Sequence, residues 1–231
     1  MSAWWAEWST YRPSDFLMFS PRIYWRLFES LNEAWWPAQL LFVGVPLAWL
    51  AGARRRAGQR EALALRGAAL FLAVCWWFVA WFFLQLRYAP INWAASGFAV
   101  AFALQGVALL SLAMSGHVLG EKRAARQGAG IVLVLWGLLG HPLLAPTVGR
   151  PWTQAEVFGL APDPTAIGTL GVLLLLDAQT PAARLLLHVL WFVPISWCAL
   201  SAATLATMDS PQAWVMLVAM LLAAAGALRS G

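Results

Sequence analysis

The chain has 231 residues, of which 61% are hydrophobic and only 11% charged, and its formal net charge is +5. This composition excludes an ordinary soluble domain, because too few polar residues are present to cover a water-facing surface. The basic excess does not indicate nucleic acid either: the Lys and Arg residues fall between long apolar runs, where they read as cytoplasmic loops retained inside during membrane insertion.

About 20 apolar residues cross a hydrocarbon core roughly 30 Å thick. The expected fold is therefore all-α, a polytopic transmembrane helix bundle of about seven spans, with residues 1–35 as an N-terminal interfacial segment and 36–231 as the transmembrane helical domain. No basic region followed by an apolar stretch and a small-residue cleavage site opens the chain, so no signal peptide is expected. Ser20-Pro21 is a helix-start pattern, in which Ser caps free N–H groups and Pro lacks the one that would go unpaired. Ile23, Leu27, Phe28 and Leu31 then recur at helical spacing opposite Arg22, Arg26, Glu29 and Glu33. This predicts an amphipathic helix lying in the headgroup layer, flanked by Trp25, Trp35 and Trp36. Trp36-Pro37 marks its turn into the first span.

The first span runs from about Trp36 to Ala53 and stops at Arg54, Arg55 and Arg56. The second, about Gly67 to Leu86, carries a dense aromatic belt and leads through the short turn at Arg87 to Asn92 into the third, about Trp93 to Ser115. After a second basic loop at Glu121 to Arg126, the fourth span covers about Ala129 to Ala145, with Pro142 and Pro146 near its outer end. Asp163-Pro164 reads as a cap plus first helical residue of a fifth helix reaching Asp177, only about 20 Å long and able to span or to re-enter. The sixth span, about Ala182 to Thr207, is predicted to kink at Pro194, and the seventh, about Gln212 to Leu228, ends at Arg229.

Charge tests this layout. Ten of the fifteen Lys and Arg residues (Arg54, Arg55, Arg56, Arg60, Arg66, Lys122, Arg123, Arg126, Arg184 and Arg229) fall inside, and Arg12, Arg22, Arg26, Arg87 and Arg150 outside. By the positive-inside rule the protein belongs in a bacterial inner (plasma) membrane with a periplasmic N-terminus and a cytoplasmic C-terminus.

Tyr11-Arg12-Pro13-Ser14-Asp15-Phe16-Leu17-Met18-Phe19-Ser20-Pro21-Arg22, then Trp36-Pro37, and later Phe158-Gly159-Leu160-Ala161-Pro162-Asp163-Pro164-Thr165 resemble the domain-of-unknown-function 6064 family of uncharacterised bacterial integral membrane proteins. The resemblance covers the whole chain. It implies no activity, but it directs attention to the N-terminal region and to the external turn before the fifth helix.

Candidate chemistry is sparse. Cys75 and Cys198 fall inside apolar runs without CxxC spacing and read as small buried hydrophobes. His117 and His188 can share a depth, as a bis-histidine haem requires, yet hydrogen-bonded interfacial histidines are the preferred reading. Ser96-Gly97 is reminiscent of an intramembrane serine protease but lacks a base and oxyanion donors of known placement. Trp77 and Trp81 share a helix face and suit either a flat lipophilic ligand or plain packing, the latter preferred. Gln85 and Gln105 are candidates for interhelical hydrogen bonds, and Gly128, Gly130, Gly137 and Gly140 suggest close helix approach. Asp177, with Arg184 as partner, is the best intramembrane charge.

The outer segment from His141 to Asp163 is the expected functional face, where the N-terminal N–H groups of the fifth helix can receive a polar or anionic group, with Arg150, Trp152 and Glu156 at its mouth. The candidate ligand or polar site is thus His141, Arg150, Glu156, Asp163 and Asp177. No catalytic residue, metal set or cofactor is expected, and an enzyme is not the preferred reading. A small-solute or lipophilic-ligand transporter or binding protein is preferred over a non-catalytic accessory or structural subunit of a larger membrane complex. The partners expected are the lipid bilayer and either another membrane protein or a second copy of the chain, with no nucleic acid.

Overall fold

A computed structural model describes residues 18–53, 59–121 and 123–228. Arg54, Arg55, Arg56, Lys122 and Arg229, which carry part of the expected inward basic bias, lie outside the described residues, as do Arg12 and the first part of the family-like segment.

Helix α1 (Pro21–Ala34) starts as its sequence predicts, with Ser20 Oγ accepting the Ile23 N–H at 3.4 Å and Pro21 in the first turn. An 85° bend separates it from α2 (Ala38–Ala53), with Trp36-Pro37 in the elbow. Its apolar stripe was expected to face lipid, but it faces protein. Tyr24, Phe28 and Leu31 are buried while Ile23 is 47% exposed. The reason is aromatic matching: Phe28 stacks on Phe83 at 4.7 Å and Tyr24 meets Tyr88 edge-on at 5.7 Å. Asn32 then ties the helix to a distant loop by donating to the carbonyls of Thr153 and Ala155, both at 2.8 Å. Helix α1 is thus a cap on one end of the bundle.

Helix α3 (Gln59–Phe78) continues through wider π-helical turns over Val79–Tyr88, and the run Arg60–Tyr88 is apolar enough over its length to cross a membrane. It starts earlier than hydropathy predicts because Arg66 stays in the helix and donates from Nε to the Ala113 carbonyl at 2.9 Å. Helix α4 (Ala95–Ser115) stops at Gly116, whose φ of 70° is a left-handed cap. Strand β1 (Val118–Gly120) pairs antiparallel with β2 (Leu176–Ala178) in a small ribbon that three-residue segments could not announce by periodicity. Helix α5 (Ala124–Leu135) runs on through a wide turn at Trp136–Gly140 and a tight one at His141–Leu143 to Thr147. There follow α6 (Pro162–Leu174), α7 (Pro181–Val189), α8 (Phe192–Thr207) and α9 (Ala213–Leu228).

The protein is thus an all-α bundle apart from the ribbon. Among the described residues, four helical runs are long and apolar enough to cross a membrane: Arg60–Tyr88, Ala95–Ser115, Ala124–Thr147 and Pro181–Thr207. The bent α1–α2 pair would make a fifth, and α9 is a shorter apolar helix.

Two expectations are corrected. The fifth helix, α6, ends at Leu174 rather than Asp177, and its cap is Ala161 with Pro162 in the first turn, so Asp163 is inside the helix and its carboxylate is free for other partners. The sixth run is interrupted at Leu190–Trp191, within the four residues before Pro194. Proline has no N–H to offer the carbonyl four residues back, that of Leu190, and Gln105 fills the gap by donating from Nε2 at 2.9 Å.

Every residue of α6 is buried, and it owes this to glycine. A Cβ on Gly171 would lie 2.7 Å from the Gly130 carbonyl oxygen and from the Val134 nitrogen, and one on Gly137 would lie 2.7 Å from the Pro164 carbonyl oxygen. These are backbone-to-backbone contacts of α5 with α6, and the rising numbers on one helix against falling numbers on the other make the pair antiparallel. Gly128 faces open space and Gly140 meets only Trp136 of its own segment. Two of the four glycines predicted for close approach therefore make it. Gly171→Ala is expected to destabilise the purified protein by about 1–3 kcal/mol through overpacking, whereas Gly128→Ala should be neutral or stabilising by up to about 1 kcal/mol. Unfolding in detergent reads both; equal effects would contradict the packing.

Candidate functional site

The polar cluster is assembled from three segments. His141 continues the buried stripe Gly130, Val134, Leu138 of α5. Glu156 follows a short turn at Trp152–Gln154 and precedes the bend Val157–Ala161, where the Ala161 N–H donates to the Val157 carbonyl at 2.8 Å. That bend is held by Thr165, whose Oγ1 accepts the Gly159 N–H at 2.8 Å and donates to the Ala161 carbonyl at 2.6 Å. Gly159 adopts φ 81° with the Phe42 ring against its α-carbon, so a side chain is excluded on both counts. Asp163 comes from the first turn of α6. Antiparallel packing of α5 on α6 sets the three at one level.

His141, Glu156 and Asp163 are each no more than 2% exposed, and one ligand atom from each lies within 4.8 Å of the others. His141 Nε2 is 3.4 Å from Glu156 Oε2, and Arg150 Nη2 is 3.3 Å from Glu156 Oε1. Asp163 is held from the other side: Trp197 Nε1 donates to Oδ1 and Ser201 Oγ to Oδ2, both at 2.7 Å. Arg150 forms the rim. Its Nη1 donates to the Gln154 carbonyl at 3.2 Å and its guanidinium lies 3.6 Å above the Trp25 ring of α1. Beside the cluster, Leu138, Pro142, Ala155 and Val157 border a groove of about 630 Å³ that also receives Asn32 and Trp36 from the α1–α2 elbow.

Burial acts to raise the Glu156 carboxyl, but the hydrogen bond and charge of His141, followed by those of Arg150, outweigh it and hold the group below the usual carboxylate range. Burial pulls Arg150 down, with Glu156 opposing. Glu156 is thus flanked by the His141 imidazole and the Arg150 guanidinium, while Asp163 is held by the neutral donors of Trp197 and Ser201. Among the described residues, two nitrogens of this site have no hydrogen-bond partner: His141 Nδ1 and Arg150 Nε. His141, Glu156 and Asp163 are close enough together to hold a metal ion, an arrangement that spacing along the sequence could not reveal because the three groups converge only in space.

Of the candidate site residues, the structure brings His141, Arg150, Glu156 and Asp163 together and leaves Asp177 apart. Asp177 lies exposed on β2, with Oδ1 accepting the Ala178 N–H at 2.8 Å, and among the described residues it forms no ion pair with Arg184. His117 and His188 are exposed, the latter with Nδ1 2.7 Å from the Arg184 carbonyl oxygen. Ser96 and Trp152 are exposed as well. Trp77 packs its indole on Gly106 and donates to the Ala103 carbonyl at 3.1 Å, which favours packing over a flat ligand. Sequence reasoning missed Trp197 and Ser201. Their spacing of four on an apolar helix, in a chain with a single charge on the fifth helix, is the signal by which they could have been found.

A family model, described as a family of unknown function, DUF6064, matches residues 21–230. The chain belongs to the DUF6064 family. No curated protein and no solved structure matches it. The match takes in the described helices of this DUF6064 protein and every residue of the polar cluster, so the cluster lies within the region that defines the family.

Breaking a buried pair from one side costs about 3–5 kcal/mol because a charge is left uncompensated. Arg150→Met is therefore expected to destabilise this DUF6064 protein by about 3 kcal/mol. Glu156→Gln should cost less, because Arg150 keeps the Gln154 carbonyl and the Trp25 ring. Unfolding in detergent tests the order; a larger loss for Glu156→Gln would mean that Arg150, not Glu156, depends on the pair.

Proposed function

We propose that this protein is a multi-pass bacterial inner-membrane protein that binds a small cationic solute in the cluster formed by His141, Arg150, Glu156 and Asp163. The observation that carries this reading is the carboxylate of Asp163: it is 1% exposed and accepts from Trp197 and Ser201, but among the described residues no Lys or Arg pairs with it, while the guanidinium of Arg150 is engaged by Glu156. A dry carboxylate without a counter-charge is costly, and the site gains stability from any cation that reaches it. Each wall also has a role in this reading. Trp197 and Ser201 orient Asp163, His141 supplies an imidazole nitrogen, and α1 with Trp25 closes the outer side.

The proposed topology has about seven crossings, with α6 completing a traverse by passing into β2. Helix α6 covers about 20 Å at 1.5 Å per residue, and the extended residues after it add about 3.3 Å each. Basic residues then favour the ribbon end as cytoplasmic and the cluster end as periplasmic. A reporter fused after Arg126 is expected to be cytoplasmic; periplasmic activity there would overturn the orientation.

Binding is tested by thermal unfolding of the purified protein against a panel of metal ions and small organic amines. At a ligand concentration about a hundredfold above Kd, stabilisation of about 2.7 kcal/mol is expected, and it should disappear in Glu156→Gln. If no cation stabilises the protein, and it purifies with a stoichiometric partner chain, the accessory-subunit reading replaces this one.

A further inference from the structure

We infer that His141, Glu156 and Asp163 form a binding site for a single divalent transition-metal ion, of the class that takes mixed imidazole and carboxylate ligands, such as Zn²⁺, Mn²⁺ or Fe²⁺. This rests on the proposed cation site and names its occupant. Three features argue for a metal ion over a closed ion pair.

The first is separation. Two ligands of a tetrahedral ion at about 2.1 Å sit about 3.4 Å from each other, and His141 Nε2 stands 3.4 Å from Glu156 Oε2. A charged pair in direct contact closes to about 2.7–2.9 Å. The Arg150–Glu156 contact, at 3.3 Å, is equally long. These buried groups are held apart at ligand spacing, with a carboxylate oxygen of Asp163 in the same 4.8 Å set.

The second is the unmet need of the histidine. Its side chain is 1% exposed, and among the described residues Nδ1 has no partner. A buried imidazole in a merely structural role would donate from one nitrogen and accept at the other. Here the ring's polar contact among the described residues is the long one to Glu156, and coordination would give it a strong partner.

The third is the support behind the ligands. Both oxygens of Asp163 are fixed by donors at 2.7 Å, from Trp197 and Ser201, and each oxygen retains a lone pair for an ion. Ligating carboxylates are held by such hydrogen bonds, whose loss lowers metal affinity by about 10–100-fold. Asp163 brings a carboxylate that no Lys or Arg pairs with among the described residues and Glu156 a second one, whose other oxygen faces Arg150, while Arg150 on the rim also keeps the Gln154 carbonyl and the Trp25 face. Three protein ligands leave a coordination position for water or a substrate atom.

The experiment uses the full chain in lipid nanodiscs, stripped of metal with a chelator and titrated with Co²⁺, whose visible ligand-field absorption reports low-coordinate nitrogen and oxygen ligation. A saturable band with about one ion per chain is expected, displaced by Zn²⁺. Ser201→Ala and Trp197→Phe should weaken binding about 10–100-fold while preserving the ligands and the band shape. His141→Ala and Asp163→Asn should abolish it in protein whose helical circular dichroism is unchanged. If an alanine or asparagine variant does not fold, the Ser201 and Trp197 variants decide the matter. The absence of a saturable band in the wild type, or one that none of these changes alters, overturns the assignment. If metals fail but an organic amine stabilises the protein in a Glu156-dependent way, only the metal identity falls; if both fail, the cation site falls with it.

Discussion

The close approach of α5 and α6 determines where everything else can go. Inside a membrane, burial of apolar surface does little to drive helices together, since lipid is as apolar as leucine; packing and hydrogen bonds do it instead. Gly130 and Gly171 bring two backbones into contact, and Gly137 does the same against the Pro164 carbonyl. With its partner so close, α6 is enclosed by α5, α8 and α9 and has no lipid-facing side. Its ends are therefore as dry as its middle. Any charge placed there has to be matched by the protein.

The two ends are matched differently. At the ribbon end, Arg126 pairs with Glu121 at 2.8 Å and reaches the Leu173 and Leu176 carbonyls, so that a cation sits where the helix dipole is negative. At the other end Asp163 sits in the first turn, where the dipole is positive. Both choices follow one electrostatic rule. The difference lies in what surrounds them: the ribbon-end pair is short and Arg126 is partly solvated, while the other end adds the second carboxylate of Glu156 with longer contacts and almost no exposure.

Much of this was legible in the sequence, and the reasons for the remainder are physical. Apolar runs located the long helices because crossing a membrane constrains composition directly. Ser20-Pro21 announced the start of α1 because capping is local. The misplaced features all depended on partners far along the chain. Ile23 was assigned to the apolar face by periodicity alone, yet α3 offers its aromatic stripe to Tyr24 and Phe28 instead. Asp163 looked like a cap because Asp before Pro usually is one, but Pro162 had already opened the helix. The polar cluster was half legible: four of its residues lie within a stretch of 23 positions, His141 to Asp163, whereas Trp197 and Ser201 enter from α8.

The break before Pro194 ties these observations together. A proline in an apolar helix frees the carbonyl four residues earlier, and in lipid that carbonyl has no water to turn to. Gln105 of α4 supplies the donor, so the break is tolerated only where α4 passes. Helix α8 then carries the same apolar run onward from Phe192 to Thr207. Trp197 and Ser201 stand one turn apart on it and face Asp163 together, with both donors 2.7 Å from the carboxylate. The glutamine on α4 keeps the proline three residues before Trp197 from costing a buried, unpaired carbonyl.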